Sequence, residues 1–466
     1  MQPAITVAYI VAALLFVVGI RRMRSPETAQ IGNVTSAIGM LIAVVATLFN
    51  AQISDYLWIV VGIFAGTVVG YISAERVAMT AMPQMVAAFN GVGGGAAALI
   101  ALSEFHRVHD LSSEPQLFVF TSAVLFSALV GSVSFAGSAV AFAKLQGVWP
   151  QRLAGFRGQA AFNPLVFAAA IVLGVLVLTG SVGTAAVALV LALGLLLGVF
   201  FVMPIGGADM PIVISLLNAF TGLAAAASGF ALSNYVLIIA GSLVGASGTI
   251  LTQLMSSSLG RSLPKILFGA IAGGAGGAQQ EPDDGKERPV HTASAEDVAS
   301  VLSADADSII FVPGYGLAVA QAQKSLAGLM EALESQGKQV RFAIHPVAGR
   351  MPGHMNVLMA EADVPYDKLV DLEDINDDFS DTDLVLVVGA NDVVNPKARE
   401  KGDTPISGMP VLDVGAARRV VFIKRSLSPG FAGIDNPLFY DEEKTMMLFA
   451  DARAGLDDVL AAVKKG

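Results

Sequence analysis

The sequence predicts a polytopic α-helical membrane domain with about nine transmembrane helices, followed by a C-terminal α/β domain with a doubly wound, Rossmann-like sheet. Hydrophobic residues make up 54% of the chain and charged residues only 14%, well below the roughly 25% of soluble domains. Residues 1–265 hold 10 Lys/Arg and 7 Asp/Glu, which leaves 18 and 31 for residues 266–466. This split predicts two parts that lie in different solvents.

Apolar segments that are long enough to cross a bilayer define the first part. A helix needs about 20 apolar residues for one crossing. Nine segments meet this need, at residues 3–20, 33–50, 56–73, 83–102, 117–142, 164–179, 182–203, 211–231 and 235–256. Residues 164–203 are too long for one crossing, so Thr179-Gly180-Ser181 is expected to form a hairpin between two spans. The alternative there is one span and an interfacial helix.

Basic residues predict the orientation of these spans. Arg21, Arg22 and Arg24 follow the first apolar segment, whereas a cleaved signal peptide carries its positive charges before that segment. With nine spans, one set of connections holds nine Lys/Arg and the other set holds only Arg107. Because basic loops stay in the cytoplasm, we expect the N-terminus outside and the C-terminal domain in the cytoplasm.

Composition also restricts the chemistry. The chain has no cysteine, so disulfides and Cys-ligated zinc or iron–sulfur clusters are excluded. Its five histidines lack metal-ligand spacing, and we expect no metal and no flavin. The acidic second part argues against nucleic-acid binding, which needs a basic footprint. Redox chemistry would therefore need a bound organic cofactor or a group from a partner.

A Gly-rich and charged segment separates the two parts. We predict a membrane domain at residues 1–265, a flexible linker at 266–290 and a soluble domain at 291–466. In the soluble domain, short apolar strands alternate with helical segments. The strands are predicted at residues 308–312, 340–344, 384–388, 411–414 and 420–424. A helix is predicted at 316–336, and the parallel sheet should bind ligands beyond the carboxyl ends of its strands.

A glycine-containing turn follows the first predicted strand. Gly314 and Gly316 permit a tight turn and the close approach of a pyrophosphate to the backbone, and Tyr315 and Ala318 belong to the same turn. Val319 stands where the usual G-x-G-x-x-G fingerprint has its third glycine, so the match is imperfect. The alternative is an ordinary turn between a strand and a helix.

Cations end the last predicted strand. Lys424, Arg425 and Ser426 place two positive charges and a hydroxyl at its carboxyl end, a combination that suits a phosphate. The second predicted strand runs into His345 without the acidic residue that holds a ribose 2′-OH in NAD sites. Because an acid would repel a 2′-phosphate, its absence permits NADP. The alternative is a solvated basic edge.

Two other strand ends are polar. The loop after the second strand contains Ala348, Gly349, Arg350, Met351 and Pro352, and its Arg could clamp a pyrophosphate. The alternative is a plain surface loop.

Gly389, Asn391 and Asp392 follow the buried strand at 384–388. Asp392 would lie near a cofactor with partial burial, where its protonation can respond to redox state. The alternative is a simple Asx turn.

Polar side chains within a bilayer are costly and usually functional. Asn90 in the fourth span and Asn218 in the eighth lie at similar depths from the same side, so both could hydrogen-bond in one hydrated passage. An Asn can orient water but cannot carry the proton itself. The alternative role of both is to join helices. Asp209 is predicted at the cytoplasmic end of the eighth span, where the soluble domain must dock. The alternative is that it is an ordinary acidic residue of a loop.

Together these residues resemble the β subunit of the proton-translocating nicotinamide nucleotide transhydrogenases. The resemblance covers nearly the whole chain, and its motifs occur in both parts. They are Met203-Pro204-Ile205-Gly206-Gly207-Ala208-Asp209-Met210-Pro211, Pro313-Gly314-Tyr315-Gly316 with Ala318-Val319-Ala320-Gln321-Ala322-Gln323, the stretch from Arg341-Phe342 through His354-Met355-Asn356, Ile375-Asn376-Asp377-Asp378-Phe379, Gly389-Ala390-Asn391-Asp392 and Asn436-Pro437-Leu438-Phe439.

The resemblance implies an oxidoreductase and translocase that is active only with an α subunit. Residues 1–265 would translocate protons and residues 291–466 would bind NADP(H), while the α subunit would bind NAD(H) and contribute further membrane parts. Proton flow would drive hydride transfer from NADH to NADP⁺. The enzyme would be a homodimer of the whole assembly, embedded in the lipid bilayer of a bacterial inner membrane.

The resemblance also implies roles for the candidate residues. The turn at 314–320 would bind NADP(H) in a reversed orientation, and Lys424, Arg425 and Ser426 would bind its 2′-phosphate. Arg350 with Asn391 and Asp392 would lie on the pyrophosphate and ribose side.

A lid would contain Gly430, Phe431 and Ala432, with Tyr in some relatives where Phe431 stands. Asn90, Asp209, Asn218 and Asp392 would serve the proton path and its coupling to the nucleotide. Some relatives have His where this chain has Asn90, so water or a partner's His would carry the proton here.

Two other functions remain open from the residues alone. One is a channel or transporter with an NADP-sensing cytoplasmic domain, which predicts ligand-gated flux without hydride transfer. The other is a membrane NADPH dehydrogenase that reduces a quinone, which would normally need a flavin, haem or metal centre.

Overall fold

The computed structural model describes most of both parts of the chain. It covers residues 2–23, 25–49, 53, 56–78, 81–108, 115–149, 158–206, 209–258, 263–264, 266–267, 288–349, 353–400, 404, 406–430 and 432–465. The chain divides into two compact units, one of residues 1–253 and 266–275 and the other of residues 254–265 and 276–466. Most of the predicted linker, residues 268–287, lies outside the described residues.

The first unit is a bundle of apolar helices. Within the described residues, nine helices have the length and composition to cross a membrane. They are α1 (Gln2–Arg22), α2 (Pro26–Leu48), α3 (Leu57–Arg76), α4 (Met82–Val108), α5 (Pro115–Leu145), α6 (Gln159–Leu178), α7 (Thr184–Val202), α8 (Met210–Ala231) and α9 (Tyr235–Ser258). Each predicted span coincides with one helix. The hairpin predicted near Gly180 is confirmed, because this residue lies between α6 and α7 with φ +70°.

Glycines allow the helices of this bundle to approach closely. A Cβ added to Gly131 of α5 would lie 2.6 Å from the carbonyl oxygen of Gly94 in α4. A Cβ added to Gly198 of α7 would lie 2.9 Å from the backbone nitrogen of Gly137 in α5. Only glycine permits such backbone contacts between helices. Helix α5 therefore packs against α4 and α7, and it also packs against α8.

The second unit contains a six-stranded parallel sheet. Its strands are β1 (Ser308–Pro313), β2 (Gln339–Ile344), β3 (Leu369–Asp371), β4 (Leu384–Val388), β5 (Arg419–Lys424) and β6 (Thr445–Phe449). They lie in the order β3-β2-β1-β4-β5-β6. Because the chain returns from β3 to place β4 beside β1, the strand order reverses between β1 and β4. The predicted doubly wound α/β fold is confirmed.

Helices lie before, between and after the strands. They are α10 (Ala295–Ser300), α11 (Tyr315–Ala320), α12 (Gln323–Ser335), α13 (His354–Glu361), α14 (Leu372–Ile375) and α15 (Ala452–Val463). Every residue of β4 is buried, as expected for the all-aliphatic central strand of a parallel sheet. Phe311 of β1 packs edge-on against Phe342 of β2, with ring centres 5.4 Å apart. The hydrophobic core therefore lies between the sheet and the helices that pack on it.

Two sequence predictions for this unit are wrong. The helix predicted at 316–336 is two helices, α11 and α12, because Gln321 adopts a left-handed conformation with φ 51°. The segment predicted as a strand at 411–414 hydrogen-bonds to short 3-10 helices and not to a strand. The Leu412 N–H donates to the Val393 carbonyl at 3.0 Å, and the Asp413 N–H donates at 2.9 Å to Oδ1 of Asn376, which follows α14.

Candidate functional site

The turns after β1 and β4 meet backbone to backbone where the strand order reverses. The N–H of Gly314 donates to the Val388 carbonyl at 2.9 Å, and that of Gly316 donates to the Gly389 carbonyl at 2.8 Å. A Cβ on Gly314 would lie 2.5 Å from the Cα of Ala390. One on Gly389, where φ is +65°, would lie 2.5 Å from the Cα of Gly316. This contact within the protein requires all three glycines, whatever ligand approaches them.

The remainder of the turn after β1 is less constrained. Tyr315 is half-buried, Ala318 is buried and Val319 is 48% exposed. An exposed third position explains why Val319 is accommodated where the usual fingerprint has a glycine. Helix α11 spans only six residues, so its N-terminus offers a weaker partial charge than the long helix that the sequence predicts.

A half-buried lysine lies at the carboxyl end of β5. Nζ of Lys424 donates to the Ser428 carbonyl and lies 4.7 Å from the centre of the Phe439 ring. Burial lowers the pKa of Lys424 to about 8, although the nearby carboxylates of Asp392 and Asp435 raise it. An ammonium that is partly desolvated in this way gains from an anionic ligand.

The next two residues complete this basic end of β5. Arg425 and Ser426 are both exposed. The hydroxyl of Ser426 donates to that of Ser428 at 3.0 Å, and the N–H of Ser428 donates back to Ser426 Oγ at 3.4 Å. Two cationic residues and a hydroxyl residue are thus consecutive at the end of β5, with Arg425 and Ser426 open to solvent.

Asp392 joins the turn after β4 to the loop after β5. Its Oδ2 accepts from the N–H of Ala432 at 3.0 Å, and its Oδ1 accepts from Nδ2 of Asn391 at 3.3 Å. The carbonyl of Asn391 accepts from Nδ2 of the buried Asn436 at 3.4 Å. A Cβ on Gly430 would lie 2.5 Å from Asp392 Oδ1. The carboxylate of Asp392 is therefore one of the groups that hold the loop that the sequence interprets as a lid.

A buried histidine fixes the loop after β2. Nδ1 of His345 accepts from the N–H of Val347 at 3.2 Å, so its Nε2 is the protonated nitrogen and donates to the Pro410 carbonyl at 2.7 Å. Burial lowers the pKa of His345 to about 4, although its bond to Pro410 raises it. The ring is therefore neutral at pH 7. Ala348 is buried, and Gly349 has φ +108°, in the region that favours glycine.

The described site residues come from the carboxyl ends of four neighbouring strands, β2, β1, β4 and β5. Val347 of the loop after β2 packs against an apolar cluster that contains Ala432 and Ile434, so that loop and the loop after β5 share a core. Four predicted site residues lie outside the described residues: Arg350, Met351, Pro352 and Phe431.

A cluster of uncharged polar side chains lies among α4, α5 and α8. Nδ2 of Asn90 donates to the hydroxyls of Ser138 at 2.9 Å and Ser134 at 3.3 Å. The Ser134 hydroxyl donates to the Leu217 carbonyl at 2.8 Å and lies 2.6 Å from the hydroxyl of Thr221. Oδ1 of the buried Asn90 has no hydrogen-bond partner within the described residues. Ordered water commonly satisfies buried acceptors of this kind.

The two other predicted proton-path residues of the bundle lie on or beside α8. Asn218 is partly buried, but Thr221 is the α8 side chain that hydrogen-bonds to the Asn90 cluster in the part of the chain described. Asp209 is partly buried at the N-cap position of α8, and its N–H donates to the Gly206 carbonyl at 3.1 Å.

The sequence interpretation overlooked Ser134, Ser138 and Thr221 in the bundle. Hydroxyl residues are common in apolar helices, and only the meeting of three helix faces distinguishes these. One signal was available, because Ser127, Ser134 and Ser138 are spaced by seven and four residues and so share a face of α5. Ser127 continues this polar face, with its hydroxyl 2.7 Å from that of Ser228.

The fold and site define a class of protein: a multi-pass membrane protein with a Rossmann-like α/β unit whose strand ends carry glycine turns and cations. The chain matches the family of NAD(P) transhydrogenase beta subunits over residues 5–462. It is 43% identical over 459 residues to the NAD(P) transhydrogenase subunit beta of Rhodospirillum rubrum, with 98% of each chain covered. The same protein from a named strain of that species gives the same figures.

The chain therefore belongs to the NAD(P) transhydrogenase beta subunit family, which is a family of oxidoreductases. The expected family is confirmed. Membership implies nicotinamide nucleotides as cofactors, and a beta subunit implies an alpha subunit as its partner.

Proposed function

We propose that the chain binds NADP(H) at the carboxyl ends of β2, β1, β4 and β5, and couples proton movement to hydride transfer from NADH on the alpha subunit to NADP⁺. Bound NADP(H) supplies the carbon that accepts or releases the hydride. The observation that carries the proposal is the basic end of β5. There Lys424, Arg425 and Ser426 supply two cations and a hydroxyl at the carboxyl end of the strand.

The 2′-phosphate is the group that distinguishes NADP from NAD. Lys424 and Arg425 would bind it through charge-assisted hydrogen bonds. The phosphate would replace the single Ser428 carbonyl that Lys424 now contacts, and it would stabilise the ammonium that burial disfavours. The loop after β2 begins with the neutral His345 and not with an acidic residue, which would repel the phosphate.

The rest of the cofactor would lie across the glycine turns. Gly314 and Gly389 leave no side chain at the reversal point, which is where dinucleotides bind in doubly wound sheets. Asp392 would control the loop that contains Gly430 and Ala432, because its carboxylate accepts the Ala432 N–H. Protonation of Asp392 would weaken this bond and favour opening of the loop. Arg350 and Phe431 would complete the pyrophosphate side and the lid.

The Asn90 cluster would form part of the proton path. Its groups are uncharged, so they would orient water through the bilayer without holding an ion. The unsatisfied Oδ1 of Asn90 supports this role, since it offers an acceptor to water between helices. Thr221 and Ser134 would extend the chain of hydrogen bonds, with Asn218 and Asp209 further along α8.

The remaining parts of the proposal concern organisation. Residues 1–265 would form the proton-translocating domain, 266–290 a flexible linker and 291–466 the NADP(H)-binding domain. The N-terminus would lie outside and the C-terminal domain in the cytoplasm, in a bacterial inner membrane. The whole enzyme would be a homodimer.

The Lys424→Ala variant tests the nucleotide site. In the complex with the alpha subunit, we expect NADP⁺ affinity to fall about 10- to 100-fold, the loss of one hydrogen bond to a charged group. Calorimetric titration measures this with NADP⁺ and with NAD⁺. The matched control is Arg453→Ala on α15, which removes an exposed cation 4.0 Å from Asp457. Equal NADP⁺ affinity in wild type and Lys424→Ala would remove the proposed phosphate site.

A further inference from the structure

A buried lysine lies at one end of the bundle, outside the polar cluster around Asn90. Lys144 is in the last turn of α5 and has no exposed surface. A buried ammonium is costly unless its charge and its three N–H donors are compensated. No carboxylate forms an ion pair with it among the residues that the structure describes.

Three backbone carbonyls compensate Lys144 instead. Its Nζ donates to the carbonyl of Ile205 at 2.7 Å, to that of Val202 at 3.4 Å and to that of Met203. Val202 is the last residue of α7, and the other two begin the connection to α8. The last carbonyls of a helix lack partners within the helix and carry partial negative charge. One donor of the ammonium therefore caps the last residue of α7, and the other two bond to the start of the connection to α8.

The same contacts connect three helices. Lys144 belongs to α5, its acceptors belong to the end of α7 and to residues 203–205, and α8 begins at Met210. Ser138 of the Asn90 cluster lies six residues before Lys144 on α5, a distance of about 9 Å along the helix axis. The lysine thus fixes the start of the α7–α8 connection against the helix that supplies two hydroxyls to that cluster.

We propose that Lys144 is a positioning residue for proton coupling. By holding the α7–α8 connection against α5, it sets the separation of α5 and α8 on which the Ser134 bonds to Leu217 and Thr221 depend. This inference rests on the proposed role of the Asn90 cluster in the proton path. It assigns Lys144 no contact with the proton or with the nucleotide.

The test uses the complete enzyme, with its alpha subunit, in sealed vesicles. Hydride transfer from NADPH to an NAD⁺ analogue is measured with and without a protonophore, which removes the opposing proton gradient. In Lys144→Met we expect turnover to fall about tenfold, within the range by which one residue changes coupling between sites. We also expect loss of the protonophore stimulation that wild type shows, while NADPH affinity stays within about twofold. Lys144→Arg should retain the stimulation because it keeps the cation.

A neutral bond at the same end of α5 provides the matched control. Nε2 of the buried Gln84 donates to the Leu145 carbonyl at 3.2 Å, so Gln84→Met removes one hydrogen bond and no charge. This variant should keep the wild-type protonophore response. If Lys144→Met does not assemble, Lys144→Arg decides: a wild-type response supports the inference and a lost response overturns it.

Two results would overturn the inference about Lys144 and leave the proposed function unaffected. Wild-type turnover and stimulation in Lys144→Met would show that the bonds from Lys144 to the three carbonyls are dispensable. Equal loss of stimulation in Lys144→Met and Gln84→Met would show a general packing effect. If wild type itself lacks protonophore stimulation, the proposed proton coupling fails instead, which separates the two claims.

Discussion

The bundle and the α/β unit both contain close backbone contacts, but they differ in the kind of polar side chain that they contain. Both bring backbones into contact through glycines, at Gly94 and Gly131 in the bundle and at Gly316 and Gly389 in the α/β unit. In the α/β unit, the candidate site contains ionisable side chains at strand ends. In the described part of the bundle, the side chains of the corresponding cluster around Asn90 are amides and hydroxyls. Charge suits the proposed binding of a phosphate, whereas uncharged groups suit the proposed passage of protons without trapping an ion.

The largest expected effect concerns the glycine contact of the α/β unit. Gly389→Ala adds a Cβ 2.5 Å from the Cα of Gly316 at a position with φ +65°. Overpacking and backbone strain should together cost about 3 kcal/mol or more. Hydrogen exchange of the β1 and β4 amides measures this loss.

Gly337→Ala is the matched control for this prediction. Gly337 also has a positive φ, +84°, but nothing lies within 4 Å of its added Cβ. Strain alone should then cost about 1 kcal/mol. Equal exchange rates in the two variants would show that the close contact of the two turns contributes nothing.

The second effect is the acid sensitivity of the α/β unit. The pKa of His345 is lowered to about 4 from an ordinary 6.5, so the unfolded chain binds a proton in this range that the folded chain does not. Stability should therefore be lost as pH falls from about 6.5 to about 4, by up to about 3 kcal/mol.

Denaturant unfolding of the α/β unit at several pH values checks this window. The pKa values of Asp297 and Asp383 are lowered by hydrogen bonds from their ordinary 3.8, so these carboxyls act only at still lower pH. The variant His345→Gln should have a flatter profile between pH 6.5 and 4. An unchanged slope in that variant would assign the acid sensitivity to other groups.

The two units also differ in how much of each could be predicted from the sequence. Nine helices follow from the sequence because apolar length is a local property of each segment. The partners of Lys144 and Ser134 do not, since they depend on which helix faces meet. A lysine at the end of an apolar helix indicates only a boundary until the end of α7 is placed against it.

In the α/β unit, the predicted strand ends include most of the candidate site, but the sequence does not predict the short strand β3 or the Met-containing strand β6. β1, β2, β4 and β5 contain apolar runs that the sequence makes evident. β3 has only three residues, and β6 contains Met446 and Met447, which have no strong strand preference. The glycine requirement was predicted for a ligand, whereas the structure shows that it also arises from the contact between two turns.

The smallest expected effect tests the uncharged cluster of the bundle. Ser138→Ala removes a hydrogen bond between α4 and α5, and such bonds contribute about 0.6 kcal/mol in membrane proteins. Ser132 is the matched control, because within the described residues its hydroxyl bonds only to carbonyls of its own helix. Detergent-induced unfolding of the complex should show the larger loss for Ser138→Ala. A larger loss for Ser132→Ala would contradict the cluster's role in joining helices.

The central claim is that proton movement through the bundle and the hold on NADP(H) in the α/β unit are linked. The most direct test measures the ratio of NADP⁺ to NADPH affinity in vesicle-reconstituted enzyme, with and without an imposed proton gradient. Linkage predicts that the gradient changes this ratio by about fivefold or more in wild type and leaves it unchanged in Asn90→Leu. The same ratio in wild type with and without the gradient would contradict the claim.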